Sequence, residues 1–97
     1  MSASLSTHVL DTATGRPAAG VRVELWRDGT LLADAATDAD GRIRELATGL
    51  APGRAELVFH PASAFFRRVA LEIELEDGHH HVPLLVSPYG CASYRGS

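Results

Sequence analysis

From Val69 to Glu76 the chain runs Val-Ala-Leu-Glu-Ile-Glu-Leu-Glu, with Val69, Leu71, Ile73 and Leu75 on one parity and Glu72, Glu74 and Glu76 on the other. Successive side chains of an extended strand leave by opposite faces, so this spacing gives one wet side and one side that must be covered. Val21, Val23 and Leu25 repeat the pattern between Val21 and Arg27. No stretch holds a 3.6-residue period over three turns. Asp28-Gly29, Asp40-Gly41 and Asp77-Gly78 are tight-turn dipeptides, and Gly15-Arg16-Pro17 and Ala51-Pro52-Gly53 read as loops. The pieces between them predict strands over 5–11, 21–27, 30–37, 42–46, 54–60, 67–76, 79–87 and 91–95. Short strands with a turn about every ten residues are the signature of an all-β antiparallel sandwich. Pro61 to Phe66 leaves room for one helical turn at most.

A chain of 97 residues fits a single domain, 1–97. At that size folding hides roughly two thirds of the unfolded surface. A lone copy is therefore marginal, and association with further copies would add burial. The nine basic residues are all Arg and scattered, against twelve acidic ones, for a net charge of −3. That balance offers no nucleic-acid surface. No apolar run approaches the ~18 residues of a membrane helix. Cys91 is the only cysteine, which excludes an internal disulfide and a Cys-based zinc motif. Its simplest reading is a small buried apolar residue. Met1 to Ser6 shows no basic segment followed by an apolar one, so the expected compartment is the cytoplasm.

Chemistry is sought where polar residues interrupt the pattern. In His79-His80-His81 a strand sends His79 and His81 to one face and His80 to the other. Such a pair can chelate a metal or exchange protons near neutral pH; the plainer alternative is a solvated strand start after a turn. His8 shares a face with Ser6 and Leu10, a mixed pattern that on its own reads as a surface residue before a catalytic one. Arg42 follows Asp40-Gly41 directly, where a solvated arginine is the default reading, and Arg44 shares its face as a rival. The chain ends Ser93-Tyr94-Arg95-Gly96-Ser97, where Tyr and Arg beside the final carboxylate suggest an interface or a site wall.

Four ordered motifs carry a resemblance. They are Leu5-Ser6-Thr7-His8-Val9-Leu10-Asp11, Thr37-Asp38-Ala39-Asp40-Gly41-Arg42, the run from His79 to Gly90, and the terminal Tyr94-Arg95-Gly96-Ser97. Together they resemble the 5-hydroxyisourate hydrolase family, a transthyretin-like group, over nearly the whole chain. The resemblance implies a transthyretin-like sandwich of about eight strands, a homotetramer, and active sites in clefts between dimers. Two departures stand out. Cys91-Ala92-Ser93 replaces the family's usual Tyr-Ser-Thr, and the segment between Phe59 and Val69 is too short for the family's surface helix, which is expected to be shortened or absent.

The implied reaction is hydrolytic opening of the six-membered ring of 5-hydroxyisourate, a small-molecule substrate, giving 2-oxo-4-hydroxy-4-carboxy-5-ureidoimidazoline. Carried over motif by motif, the catalytic residues would be His8, Arg42, His81 and Ser97, and the substrate contacts His8, Arg42, Tyr94 and Ser97. His8 and His81 would handle protons and Arg42 would clamp developing negative charge. His79 has at best a supporting role. No cofactor and no metal is required, with a cation held by His8, His79 and His81 as the alternative. Neither nucleic acid nor membrane is an expected partner. The rival function is a non-catalytic small-ligand carrier, which would need an apolar channel.

Overall fold

The computed structural model describes residues 1–96. Its strands are β1 (Ala3–Asp11), β2 (Arg16–Pro17), β3 (Arg22–Arg27), β4 (Thr30–Ala36), β5 (Arg42–Leu50), β6 (Gly53–His60), β7 (Val69–Leu75), β8 (Gly78–His81), β9 (Leu84–Val86) and β10 (Cys91–Ser93). Among the described residues there is no helix, and Pro61 to Arg68 crosses as bends without one. The all-β expectation and the lost surface helix are both observed.

Two sheets form. One runs β4-β3-β6-β7, entirely antiparallel. The other is centred on β1, which pairs antiparallel with β5 and β2 and parallel with β8 and β9, while β10 closes onto β9. The inward parity of each strand supplies the core. Leu5 and Val9 from β1, Val23 and Leu25 from β3, Leu57 and Phe59 from β6, and Leu84 from β9 are all essentially without solvent contact. Burying such side chains is worth roughly 1.5–3 kcal/mol each before chain entropy is counted. Asp28 (φ 49°) and Gly29 (φ 77°) make the two-residue turn of the β3–β4 hairpin, the geometry that matches strand twist.

The structure corrects several expected boundaries. β5 continues to Leu50 rather than stopping at residue 46. Thr7 pairs with Ile43 and Leu5 with Ala47, so β5 advances four residues where β1 advances two; Ala3 then pairs with Leu50. These bulges break the period-two pattern and hide the strand from a sequence reading. The expected strand 79–87 is two strands, because Pro83 has no N–H to continue the ladder. The last strand ends at Ser93, and the two-residue bridge β2 was not expected. Cys91 is exposed rather than buried, since β10 lies at a sheet edge and turns Cys91 outward.

Candidate active site

Ser4, Ser6 and His8 occupy the outward parity of β1, while Leu5, Thr7 and Val9 point into the core. Parallel pairing puts Ser4 beside His79 and Ser6 beside His81. Antiparallel pairing puts His8 beside Arg42. Residues from both ends and the middle of the chain therefore meet on the outer face of three adjacent strands, β5-β1-β8. His80 points the other way and is buried, as the alternation requires. Its Nε2 lies 2.9 Å from the carbonyl oxygen and 3.1 Å from the amide nitrogen of Glu76, anchoring the turn that leads into β8.

The turn before Arg42 is held by the motif's own side chains. The Asp38 carboxylate Oδ1 accepts from the amides of Asp40 (2.9 Å) and Arg42 (3.0 Å), and the Gly41 amide donates to the Asp38 carbonyl (2.9 Å). Chiefly the Arg42 amide, working against partial desolvation, holds the Asp38 carboxyl below its ordinary value; the Asp40 amide and the charges of Arg44 and Arg42 add to it. Gly41 has φ 72°, and a Cβ there would stand 2.5 Å from the Val9 carbonyl oxygen, so no other residue fits. Thr37 ties the turn to the neighbouring loop, accepting from the Val21 amide (2.9 Å) and donating to the Ala18 carbonyl (2.6 Å).

Arg42, His81, Ser6, Thr7, Ile43 and Arg44 line a shallow depression of about 200 Å³. His81 is half-buried, and its imidazole is held below the ordinary histidine value. Burial is the main cause, and the positive field of Arg42, then of His8 and His79, adds to it. A neutral imidazole at pH 7 follows. His8 Nε2 lies 3.0 Å from the Asp40 carbonyl oxygen. A carbonyl only accepts, so the proton sits on Nε2 and the neutral ring keeps its lone pair on Nδ1. Arg42 and Arg44 make no ion pair within 4.0 Å among the described residues.

The chain end returns to this place. The Gly96 amide donates to the His81 carbonyl (2.7 Å), making an isolated antiparallel bridge. A Cβ on Gly96 would come 2.8 Å from Cδ2 of His81, so only glycine lets the terminal segment lie flat on that imidazole. Ser97 lies outside the described residues. Tyr94 is 58% exposed and lines a separate depression with Leu71, Ile73 and His80, away from Arg42 and His81 of its own chain. Among the described residues no three His, Cys, Asp or Glu side chains are grouped to hold a metal ion, so His8, His79 and His81 do not converge on one point.

Sequence reasoning gave Ser4 no part and used Ser6 only to describe a face. Ser6 Oγ lies 2.8 Å from Nε2 of His79 and 2.8 Å from Nδ1 of His81, and Ser4 Oγ lies 2.6 Å from Nδ1 of His79. The available signal was the alternation Ser4-Ser6-His8 beside His79-His80-His81. The parallel register that joins them is invisible in one dimension.

The HIUase/Transthyretin family model matches residues 5–96. 5-Hydroxyisourate hydrolase 2 of Rhizobium meliloti is 43% identical, with 99% of this chain and 98% of the relative covered. That alignment runs over 117 positions against 97 residues here, so the relative carries residues with no counterpart in this chain. Among solved structures, 5-hydroxyisourate hydrolase of Klebsiella pneumoniae superimposes with a TM-score of 0.89 at 38% identity, covering 98% of this chain and 99% of that one. Sea bream transthyretin in complex with thyroxine shares the fold, with a TM-score of 0.83 at 24% identity over 95% of this chain and 93% of that one. The matched segment holds the shared outer face of β5-β1-β8 and the returning Gly96, and the chain belongs to the HIUase/Transthyretin family.

Proposed function

We propose that this chain hydrolyses 5-hydroxyisourate to 2-oxo-4-hydroxy-4-carboxy-5-ureidoimidazoline, with residues 1–97 acting as one hydrolase domain. The observation that carries the reading is the common face of His8, Arg42 and His81, with a neutral imidazole beside a guanidinium that makes no ion pair among the described residues. Relatives named 5-hydroxyisourate hydrolase at about two-fifths identity supply the substrate.

Ring opening needs water to add to a ring carbonyl and the adjacent C–N bond to break. His81 Nε2, turned away from Ser6, takes a proton from that water. Arg42 receives the negative charge that forms on the carbonyl oxygen, a contribution typically worth ~10²–10³-fold for a well-aimed donor. His81 returns that proton to the leaving nitrogen, and the lone pair on His8 Nδ1 accepts a hydrogen bond from the attacking water. Tyr94 and Ser97 are proposed to contact the planar substrate across a subunit seam, which suits a Tyr94 that stands away from Arg42 of its own chain. The active particle is proposed to be a homotetramer. β7 and β10 are sheet edges flanking the same apolar depression, and unpaired edges of this kind invite a second copy. No helix of the described residues is long and apolar enough to cross a membrane. The exposed thiol of Cys91 suits the reducing cytoplasm proposed as its location. A carrier of apolar ligands would need an apolar channel, and the face bearing His8, Arg42, Arg44 and His81 is polar and cationic.

The test is to mix purified protein with freshly generated 5-hydroxyisourate and follow the fall in ultraviolet absorbance. Decay faster than the spontaneous rate is expected; decay at the spontaneous rate ends the enzyme reading. Mass in solution should be near four protomers, and an active monomer would contradict a seam-built site.

A further inference from the structure

Resting on that reading, we infer that Ser4, His79 and Ser6 form a proton relay that carries the proton released at His81 to solvent and back. At neutral pH the reaction consumes an amide and water and yields a carboxylate, an N–H and one free proton. Of the two water protons, one ends on the leaving nitrogen through His81 and the other comes off the carboxylic acid product. With substrate over the depression, the Nε2 side of His81 is occupied. The Nδ1 side opens instead onto Ser6, which is only 7% exposed.

The distances define one continuous chain, His81 Nδ1 to Ser6 Oγ (2.8 Å), Ser6 Oγ to His79 Nε2 (2.8 Å), and His79 Nδ1 to Ser4 Oγ (2.6 Å). His79 is exposed, so the far end meets water. Each hydroxyl donates once and each neutral imidazole donates from one nitrogen and accepts at the other. Two arrangements satisfy every link and also keep the proton of the nearly buried Ser6 hydroxyl within the chain. In the first, His81 Nδ1–H donates to Ser6, Ser6 donates to His79 Nε2, and His79 Nδ1–H donates to Ser4. This leaves a lone pair on His81 Nε2, the form a base needs. In the second, every donor is reversed and the proton of His81 sits on Nε2, the form an acid needs.

The reaction converts the first into the second. Nε2 of His81 takes a proton from water as its Nδ1 proton passes to Ser6. The Ser6 proton passes to His79 Nε2, the His79 Nδ1 proton to Ser4, and the Ser4 proton to bulk water. The charge on His81 is never held for long beside Arg42, His8 and His79, the three groups that oppose it. His81 Nε2–H then protonates the leaving nitrogen while Ser4 takes a proton back from bulk water and each link shifts in reverse, which restores the first arrangement. The net proton of the reaction comes off the carboxylic acid product. Ser6 and His79 are thus positioning and relay residues, acting through His81 without touching the substrate.

The test uses the intact protein with Ser6→Ala, His79→Ala, and Ser6→Thr as the variant that keeps the hydroxyl. In dilute buffer, Ser6→Ala and His79→Ala should lose about tenfold in kcat with KM little changed, less than the ~10²–10⁴-fold of a whole proton-transfer contribution because His81 itself remains. Added imidazole should restore His79→Ala progressively, as a soluble acceptor replaces the missing one, and leave the wild type unaffected. Ser6→Thr should keep most of the activity. Nitrogen NMR of the histidine rings, with no substrate present, should show Ser6→Ala redistributing the His81 proton between Nδ1 and Nε2. Losses that imidazole cannot restore, or a His81 ring indifferent to Ser6→Ala, overturn the relay. If the wild type leaves 5-hydroxyisourate untouched, the substrate reading fails, and the ring NMR alone still decides whether the four groups are coupled.

Discussion

Each sheet turns a histidine-bearing face outward, and the two faces treat their charges in opposite ways. On β4-β3-β6-β7, His60 Nε2–H donates to Glu24 (2.7 Å), Arg22 bridges Glu24 (3.2 Å) and Asp34 (3.1 Å), and Arg54 meets Glu72 (3.1 Å). Arg22, Arg54 and His60 there each have a carboxylate within reach, while Arg27 donates to the carbonyls of Arg54 and Gly53. On β5-β1-β8 the partners are hydroxyls and carbonyls. Ser6 faces His79 and His81, Asp40 offers only its backbone to His8, and Arg42 and Arg44 make no ion pair among the described residues. The first face is electrostatically closed and holds the sheet. The second is left open to an oxygen-rich ligand, and the difference lies in which partners the neighbouring strands supply rather than in residue type.

Removing a group from the open face should cost far more activity than removing its counterpart from the closed one. Arg42→Ala and His81→Ala are each expected to lose about 10² or more in kcat/KM, the scale of a lost oxyanion donor or general base. His60→Ala and Arg54→Ala should stay within about twofold, since their partners are structural. Steady-state kinetics on the four variants would collapse the contrast if the closed-face pair fell as far as the open-face pair.

A smaller loss is expected at the contact between the chain end and His81. Gly96→Ala introduces a Cβ that would stand 2.8 Å from the His81 ring, so the terminal segment must lift away. Displacements of this size near a reacting centre are costly, and about tenfold in kcat/KM is expected here. The fold should be unchanged, because only one isolated bridge is lost. A circular dichroism spectrum like that of the wild type, alongside the kinetic loss, would separate a site effect from unfolding.

The open face was partly legible in advance. The alternation of β3 and β7 and the Asp-Gly turns were enough for an all-β sandwich, because period-two burial is a local property. The motif resemblance singled out His8, Arg42 and His81, and the opposed parity of His80 follows from strand geometry alone. The bulges of β5 escaped notice because they destroy the very period being read. The Ser4–His79–Ser6–His81 chain escaped because it depends on a parallel register between the two ends of the sequence. Cys91 was misplaced because its exposure is set by β10 having no outer neighbour in the single chain, which no property of the residue announces.

The acid limb of activity offers a finer comparison. His81 is held below its ordinary value of 6.5, first by burial and then by Arg42. The base form therefore persists below pH 6.5, and the limb of kcat/KM should lie on the acid side of that value. Arg42→Ala removes the second cause and leaves the first. In the residual activity the limb should move up toward 6.5 without reaching it. A limb that stayed in place would mean that the guanidinium does not act on the imidazole.

The two faces should also fail at different acidities. His81 has its folded value lowered from 6.5, so on acidification the unfolded chain binds that proton first. Stability from this face therefore begins to fall as pH drops below about 6.5, and the loss continues down to the folded value. Glu24 has its folded value lowered from 4.5, chiefly by the hydrogen bond from His60 and then by Arg22, against partial desolvation. Its contribution is intact above 4.5 and is lost as pH falls through the folded value. Urea midpoints taken from pH 8 to pH 3 at one protein concentration would separate the two. His81→Gln should flatten the wild-type slope only in the upper window, and Glu24→Gln only in the lower. Flattening in a shared window would show that the two histidine-bearing faces titrate as one system. Separate windows are expected, because an imidazole with an ordinary value of 6.5 and a carboxyl with one of 4.5 sit on opposite faces of the core.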